Sequence, residues 1–119
     1  MNSELQEKLR KKYSFLKDIY FECEDGWYNI IDKLCDDIKK VISSPKDIYV
    51  SQVKQKWGSL RFYCSVMKEE EKVWDLISAA EEESSKTCEI CGGKGESREL
   101  AGVWILCDKD YEAKKKEGF

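Results

Sequence analysis

Three cysteines carry the most specific chemistry in the chain. Cys88 and Cys91 form the C-x-x-C pair of "CEICGG", and Cys107 follows in "WILCDKD". Thiolates at that spacing are a common half of a metal site, and a third cysteine downstream extends it. A tetrahedral metal needs a fourth ligand, and the 119 residues include no histidine. A redox dithiol explains less, because no strand–helix–strand pattern precedes the pair and Cys107 would have no role. A nucleobase deaminase needs a ligand and a glutamate two residues apart, upstream of a Pro-Cys pair. Here "CED" ends in Asp25 and Thr87 precedes Cys88.

The elements around these cysteines narrow the choice. Residues 97–100 and 103–106 read as two short strands around Ala101-Gly102, and Cys107 opens the helix-like run "CDKDYEAKKK". This order of knuckle, hairpin and ligand-bearing helix start resembles a treble-clef zinc finger. In that arrangement the last two ligands sit three residues apart at the helix N-terminus, and the residue three after Cys107 is Asp110. The resemblance implies a structural Zn²⁺ held by Cys88, Cys91, Cys107 and Asp110, since carboxylate oxygen is an accepted zinc ligand. Lys86, Lys94 and Arg98 are close enough in sequence to offset the negative charge of such a site. Gly92 and Gly93 let the knuckle turn tightly and aim N–H groups at sulfur. Two other readings stay open: Asp110 is a solvated helix residue with water or Asp108 at the metal, or the site no longer binds metal.

Upstream, Ser3 and Gln6 suggest a capping box for a first helix over about residues 3–18, with Leu5, Leu9, Tyr13 and Leu16 on one face. Asp25 can cap a second helix starting near Trp27. Trp27, Ile30, Ile31, Leu34, Ile38, Val41 and Ile42 recur at spacings of three and four, and "SSP" ends the run. "DIYVSQVKQKWGSLRFYCSV" has the pattern of a β-hairpin. A two-residue turn at Gly58-Ser59 would set Trp57 opposite Leu60 and Lys56 opposite Arg61. Trp57, Leu60, Phe62, Val53, Cys64 and Val66 then share one face, and Gln52, Lys54, Lys56, Arg61 and Tyr63 the other. A third helix follows from about Glu69 to Ser84, with Val73, Leu76, Ile77 and Ala80 inward. Since a lone hairpin is not stable in water, the helices must cover its apolar face. Trp27, Ile31, Leu34, Phe62 and Ile77 are expected to be buried together. Cys35 and Cys64 read as small hydrophobes of the core, and Cys23 lies in a loop.

These elements predict an α+β fold: helices packed on a β-hairpin or small antiparallel sheet, with the treble-clef-like knuckle at the C-terminus. Residues 1–86 would form the α+β core and 87–119 the knuckle module packed on it, in one compact domain. Hydrophobic residues make up 41% and charged residues 38% of the chain, enough for a modest core under heavily solvated faces. The net charge of −3 speaks against nonspecific coating of DNA but allows a local basic face. "MNSELQEKLRKK" contains no apolar run, so neither a signal peptide nor a membrane span is expected, and a cytoplasmic setting follows. Cysteines there are thiols or metal ligands more often than disulfides.

"FECEDGWYNIIDKLC", "VKQKWGSLRFYCS", "AEEESSKTCEICGGKG" and "WILCDKD" follow the order of a group of small phage and prophage proteins. The pattern of that group reads ECGDGW, QVKEKFGGLRFY, TCEVCG-x-G and LCDxH, and the resemblance spans roughly residues 21–110. Glu24 stands where the group has glycine, and Asp110 where it has the histidine of LCDxH. The resemblance implies a phage-related, cytoplasmic, zinc-binding protein of the host bacterial cytoplasm, without a defined activity. An enzyme is not expected: the chain has no histidine, no activated-serine motif and no phosphate-binding glycine loop. From Ile48 through Met67 there is no acidic residue. Gln52, Lys54, Lys56, Arg61 and Tyr63 are therefore a candidate surface for a nucleotide-like anionic ligand or a host defence protein. The competing expectations are a solvated sheet face, an internal bridge to Glu81, Glu82 or Glu83, and a nucleic-acid-binding zinc-finger module. The acidic net charge weighs against the last. A homo-oligomer is compatible with each.

Overall fold

The computed structural model describes residues 1–118; Phe119, the end of the expected 87–119 module, lies outside them. The chain is α+β. Among the described residues the α-helices are α1 (Ser3–Lys12), α2 (Tyr28–Val41), α3 (Glu70–Ser84) and α4 (Asp108–Lys116). Its strands are β1 (Phe21–Glu22), β2 (Ile48–Lys56), β3 (Ser59–Val66), β4 (Glu96–Glu99) and β5 (Val103–Leu106). They form a three-stranded sheet in the order β1-β2-β3 and a separate β4-β5 hairpin. The main sheet is mixed, because β1 runs parallel to β2 while β2 and β3 are antiparallel. A strand of two residues leaves too short an alternation to be read from sequence.

The first helix is shorter than its apolar pattern suggests. It ends at Lys12, and a 3-10 turn, Ser14–Leu16, carries Leu16 into the core. Its cap is Asn2, whose side chain accepts the Leu5 N–H at 2.8 Å, rather than Ser3. Gln6 is buried and works over longer range: it accepts the Phe21 N–H at 3.0 Å and donates to the Met1 carbonyl. Asp25 does not cap α2 either. Its carboxylate holds Asn2 through the backbone N–H at 2.7 Å and the amide at 3.0 Å, tying the chain start to the entry of α2.

The hairpin turn lies one residue earlier than the glycine alone suggests. Trp57 and Gly58 occupy its two corners with φ of 53° and 77°, the doubly positive pattern of a type I′ turn. Lys54 therefore faces Arg61, Gln55 faces Leu60 and Val53 faces Phe62. Trp57 is out of the apolar face, 72% exposed at the tip. The two registers differ by two residues in pairing, so the faces are otherwise unchanged. Gly58 is held to its corner by a close approach: a Cβ there would sit 2.7 Å from Val103 Cγ1. Ser51 bulges from β2 between Val50 and Gln52, which lets both Val50 and Val53 point inward.

One cluster joins Leu9, Leu16, Phe21, Trp27, Ile31, Leu34, Phe62, Val73 and Ile77, with Cys23 and Cys35 within it and Cys64 against it. At the edge of β3 the Ser84 hydroxyl of α3 accepts the Leu60 N–H at 2.9 Å. A smaller cluster of Cys88, Leu100 and Leu106 lies beneath β4, β5 and α4. No helix of the described residues is long and apolar enough to cross a membrane.

Candidate functional site

The knuckle is built by local hydrogen bonds. The Gly92 N–H donates to the Cys88 carbonyl at 2.9 Å, and the Cys88 N–H to the Gly93 carbonyl at 2.7 Å. Gly92 has φ of 81°, the positive value that glycine adopts without strain. These bonds turn Cys88 and Cys91 to the same side. The β4-β5 hairpin then delivers Cys107, which is the N-cap of α4; its sulfur accepts the Asp110 N–H at 3.4 Å. One helical turn further on, Asp110 points back at the sulfurs.

Cys88, Cys91, Cys107 and Asp110 thereby form one group whose ligand atoms all lie within 4.8 Å of one another. Asp110 Oδ2 is 3.2 Å from both the Cys88 and Cys107 sulfurs, and the Cys91 and Cys107 sulfurs are 3.8 Å apart. Cys88 is fully buried, Cys91 is exposed, and the other two are half-buried. Asp108 is not part of the group; its carboxylate turns outward and takes Arg98 at 2.7 Å. Arg98 also donates to the Leu106 carbonyl and stacks over the Tyr111 ring at 4.5 Å, so it fixes the start of α4. Lys86 pairs with Glu82 and Arg98 with Asp108, so these two cations spend their charge beside the site rather than on it.

The electrostatics are those of acids crowded together. Partial burial pushes the Asp110 carboxyl up, but hydrogen bonds from the Cys107, Cys88 and Cys91 thiols outweigh it and hold it below its ordinary value. The Gly93 N–H pulls the Cys91 thiol down, while burial and the neighbouring Cys88, Cys107 and Asp110 push it up to about 11. Negative charges packed this closely repel one another, and a cation among them offsets that repulsion. The donor set, three soft sulfurs and one oxygen, can hold a metal ion.

The knuckle is locked to the core by a segment whose role is silent in sequence. Gly26 donates to the Glu89 carbonyl at 2.7 Å, and the Trp27 indole donates to the Thr87 carbonyl at 2.9 Å. A Cβ on Gly26 would stand 2.2 Å from the Cys88 carbonyl oxygen, so only glycine permits the approach. Glu89, between the first two cysteines, is 2% exposed and accepts the Glu24 N–H at 3.1 Å. Burial pushes its carboxyl up to about 7, against the hydrogen bonds of Glu24 and Gln55 that hold it down. A glutamate in a charged chain reads as solvated; only the proximity of the Gly-Trp pair to the knuckle reveals otherwise.

The candidate anionic-ligand face is brought together, but with a different charge pattern. Gln52, Lys54, Lys56, Arg61 and Tyr63 share the outer face of the sheet, joined by Tyr49. Lys54, not Lys56, lies opposite Arg61, and Glu22 flanks Lys54 on the other side. Arg61 is bridged to Glu81 at 3.2 Å, and Gln52 donates to Glu22 at 2.9 Å. The internal bridge therefore accounts for Arg61. Among the described residues Lys54 and Lys56 make no ion pair; exposed Tyr63 lies next to the Lys54–Arg61 pair, and exposed Tyr49 further along the face.

No protein-family model matches the chain, and no curated protein or solved structure does.

Proposed function

We propose that the chain is a phage-type accessory protein of the counter-defence kind, a binder rather than a catalyst, built around a structural zinc. The carrying observation is the outer face of the sheet, where Lys54 and Lys56 make no ion pair among the described residues, exposed Tyr63 lies next to the Lys54–Arg61 pair, and exposed Tyr49 lies further along the same face. Lysine supplies charge for a phosphate and tyrosine a ring for stacking, which together suit a nucleotide-like anion. An acidic patch on a host defence protein would use the same residues. The resemblance to small phage proteins supports this setting.

Zinc is the metal that suits the C-terminal site best. A tetrahedron with metal–sulfur bonds of about 2.3 Å has sulfur–sulfur edges of about 3.8 Å, matching the Cys91–Cys107 separation of 3.8 Å. Four protein donors leave no open corner for a substrate, which is the signature of a structural rather than a catalytic zinc. The order of knuckle, hairpin and ligand-capped helix supports a treble-clef-like module.

The test is native mass spectrometry of the chain isolated from infected bacteria, beside a Lys54→Glu/Lys56→Glu variant that leaves the Arg61–Glu81 bridge intact. The wild-type chain is expected to carry zinc together with a small anion or a protein partner. The variant is expected to keep the zinc and lose the other. Wild-type chain carrying zinc alone, or a variant that still carries the ligand, contradicts the reading. Co-purification of single-stranded nucleic acid would instead favour a stacking platform for bases on the same two tyrosines.

A further inference from the structure

The six cysteines differ in one property that decides their chemistry. Cys23, Cys35 and Cys88 are buried, Cys64 and Cys107 are half-buried, and Cys91 alone is exposed. Access and thiolate character together set which cysteine an oxidant reaches first. Gly92 and Gly93 follow Cys91, both exposed, so no side chain after it shields its sulfur. A Cβ on Gly93 would itself stand 3.5 Å from that sulfur, and the Gly93 N–H donates to it at 3.4 Å. A cysteine that binds a metal does so as the thiolate, which is also its nucleophilic form.

Geometry sets the partner. The Cys107 sulfur lies 3.8 Å from that of Cys91. A disulfide holds its sulfurs about 2 Å apart, so joining them takes a shift of about 2 Å. Cys88 is a poorer partner. Its N–H and carbonyl are both bound, to Gly93 and Gly92, and it is packed with Leu100 and Leu106. Its thiol donates to Asp110 at 3.2 Å, a bond that needs neither of the other two sulfurs.

We propose that Cys91 is a site of oxidation by hydrogen peroxide, with Cys107 as its resolving cysteine, and that the resulting disulfide empties the metal site. The Cys91 sulfur attacks one peroxide oxygen: the S–O bond forms, the O–O bond breaks and hydroxide leaves, giving the sulfenic acid. The Cys107 thiolate then attacks the Cys91 sulfur: the S–S bond forms, the S–O bond breaks and a second hydroxide leaves. Two thiolates are oxidised by two electrons in all, and one peroxide is reduced. Cys88 and Asp110 remain, two donors where a tetrahedral ion takes four. The redox pair is thus not the C-x-x-C pair but the exposed cysteine and the one that caps α4. The loss of metal rests on the structural-zinc reading; the choice of cysteines does not.

The test is peroxide titration of the freshly purified wild-type chain, with its zinc counted before any oxidant is added. That count bears on the zinc reading alone. Cysteines are then mapped by alkylation, digestion and mass spectrometry, and released metal is followed with a chromogenic chelator. The expected product is a Cys91–Cys107 disulfide, with Cys23, Cys35, Cys64 and Cys88 recovered as thiols. Metal is lost in step with the disulfide, and dithiothreitol with added zinc restores it. Dimedone present with the peroxide is expected to tag Cys91 ahead of the other five. A first disulfide that includes Cys88, or a first dimedone tag on another cysteine, overturns the proposal. So does a disulfide that leaves the metal in place, or excess peroxide that leaves Cys91 and Cys107 as thiols. A chain purified without zinc overturns the zinc reading, and its peptide map still decides between Cys107 and Cys88 as the partner of Cys91.

Discussion

Asp110 reaches two sulfurs at once because it lies one helical turn past a cysteine that caps the helix. Replacing it with histidine keeps a ligand at that corner and substitutes imidazole, which suits zinc well. Asp110→His is therefore expected to hold zinc longer than the wild-type chain against a chromogenic chelator. Asp110→Ala should release it faster, having three ligands and an open corner. Equal release from all three would place the carboxylate outside the site. The cysteine donors were readable because ligand spacing is a local property of sequence, and Asp110 because helix geometry repeats over three residues. Glu89 was not readable. Its burial is decided by Glu24 and Gly26, more than sixty residues earlier, and no local pattern records such a contact.

Among the elements, the entry of α2 and the knuckle behave as one unit. Gly26→Ala forces a methyl group into the backbone of Cys88 and Glu89. Overpacking of that kind costs about 1–3 kcal/mol, and here the knuckle must move to relieve it. Thermal unfolding is expected to show the loss of stability, with faster zinc release as its companion; a wild-type melting temperature would mean that the approach is looser than described. Phe62→Ala removes a ring that is 4% exposed and bridges the sheet to the helices. Its expected cost is about 3–5 kcal/mol, measured by denaturant unfolding, and a change below about 1 kcal/mol would be that of a surface position. The helices α2 and α3 and the two hairpins were legible from periodicity and turn residues. The turn register was not, since a Trp-Gly and a Gly-Ser turn bury the same residues apart from Trp57. The close approach of Gly58 to Val103 belongs to the tertiary structure and leaves no trace in the local pattern. Strand β1 was hidden for a related reason: it exists only because β2 lies beside it.

At the scale of the molecule, the four-residue candidate metal site and the core are joined through Gly26, Trp27 and Glu89. Metal binding to such a small module is coupled to its folding. Removing zinc is expected to loosen β4, β5 and α4 first, seen as loss of hydrogen-exchange protection there before the main sheet. Acid should act in the same direction. Zinc binding to thiolates and a carboxylate competes with protons, so the stabilisation that the proposed zinc supplies is expected at neutral pH and is lost as the pH falls. The open sheet face depends on this scaffold. Zinc K-edge X-ray absorption on the freshly purified chain measures the centre itself. The expected spectrum has three sulfurs at about 2.3 Å and one oxygen at about 2.0 Å, at one zinc per chain. A zinc shell without sulfur, or a chain purified without zinc, would contradict the proposed structural zinc.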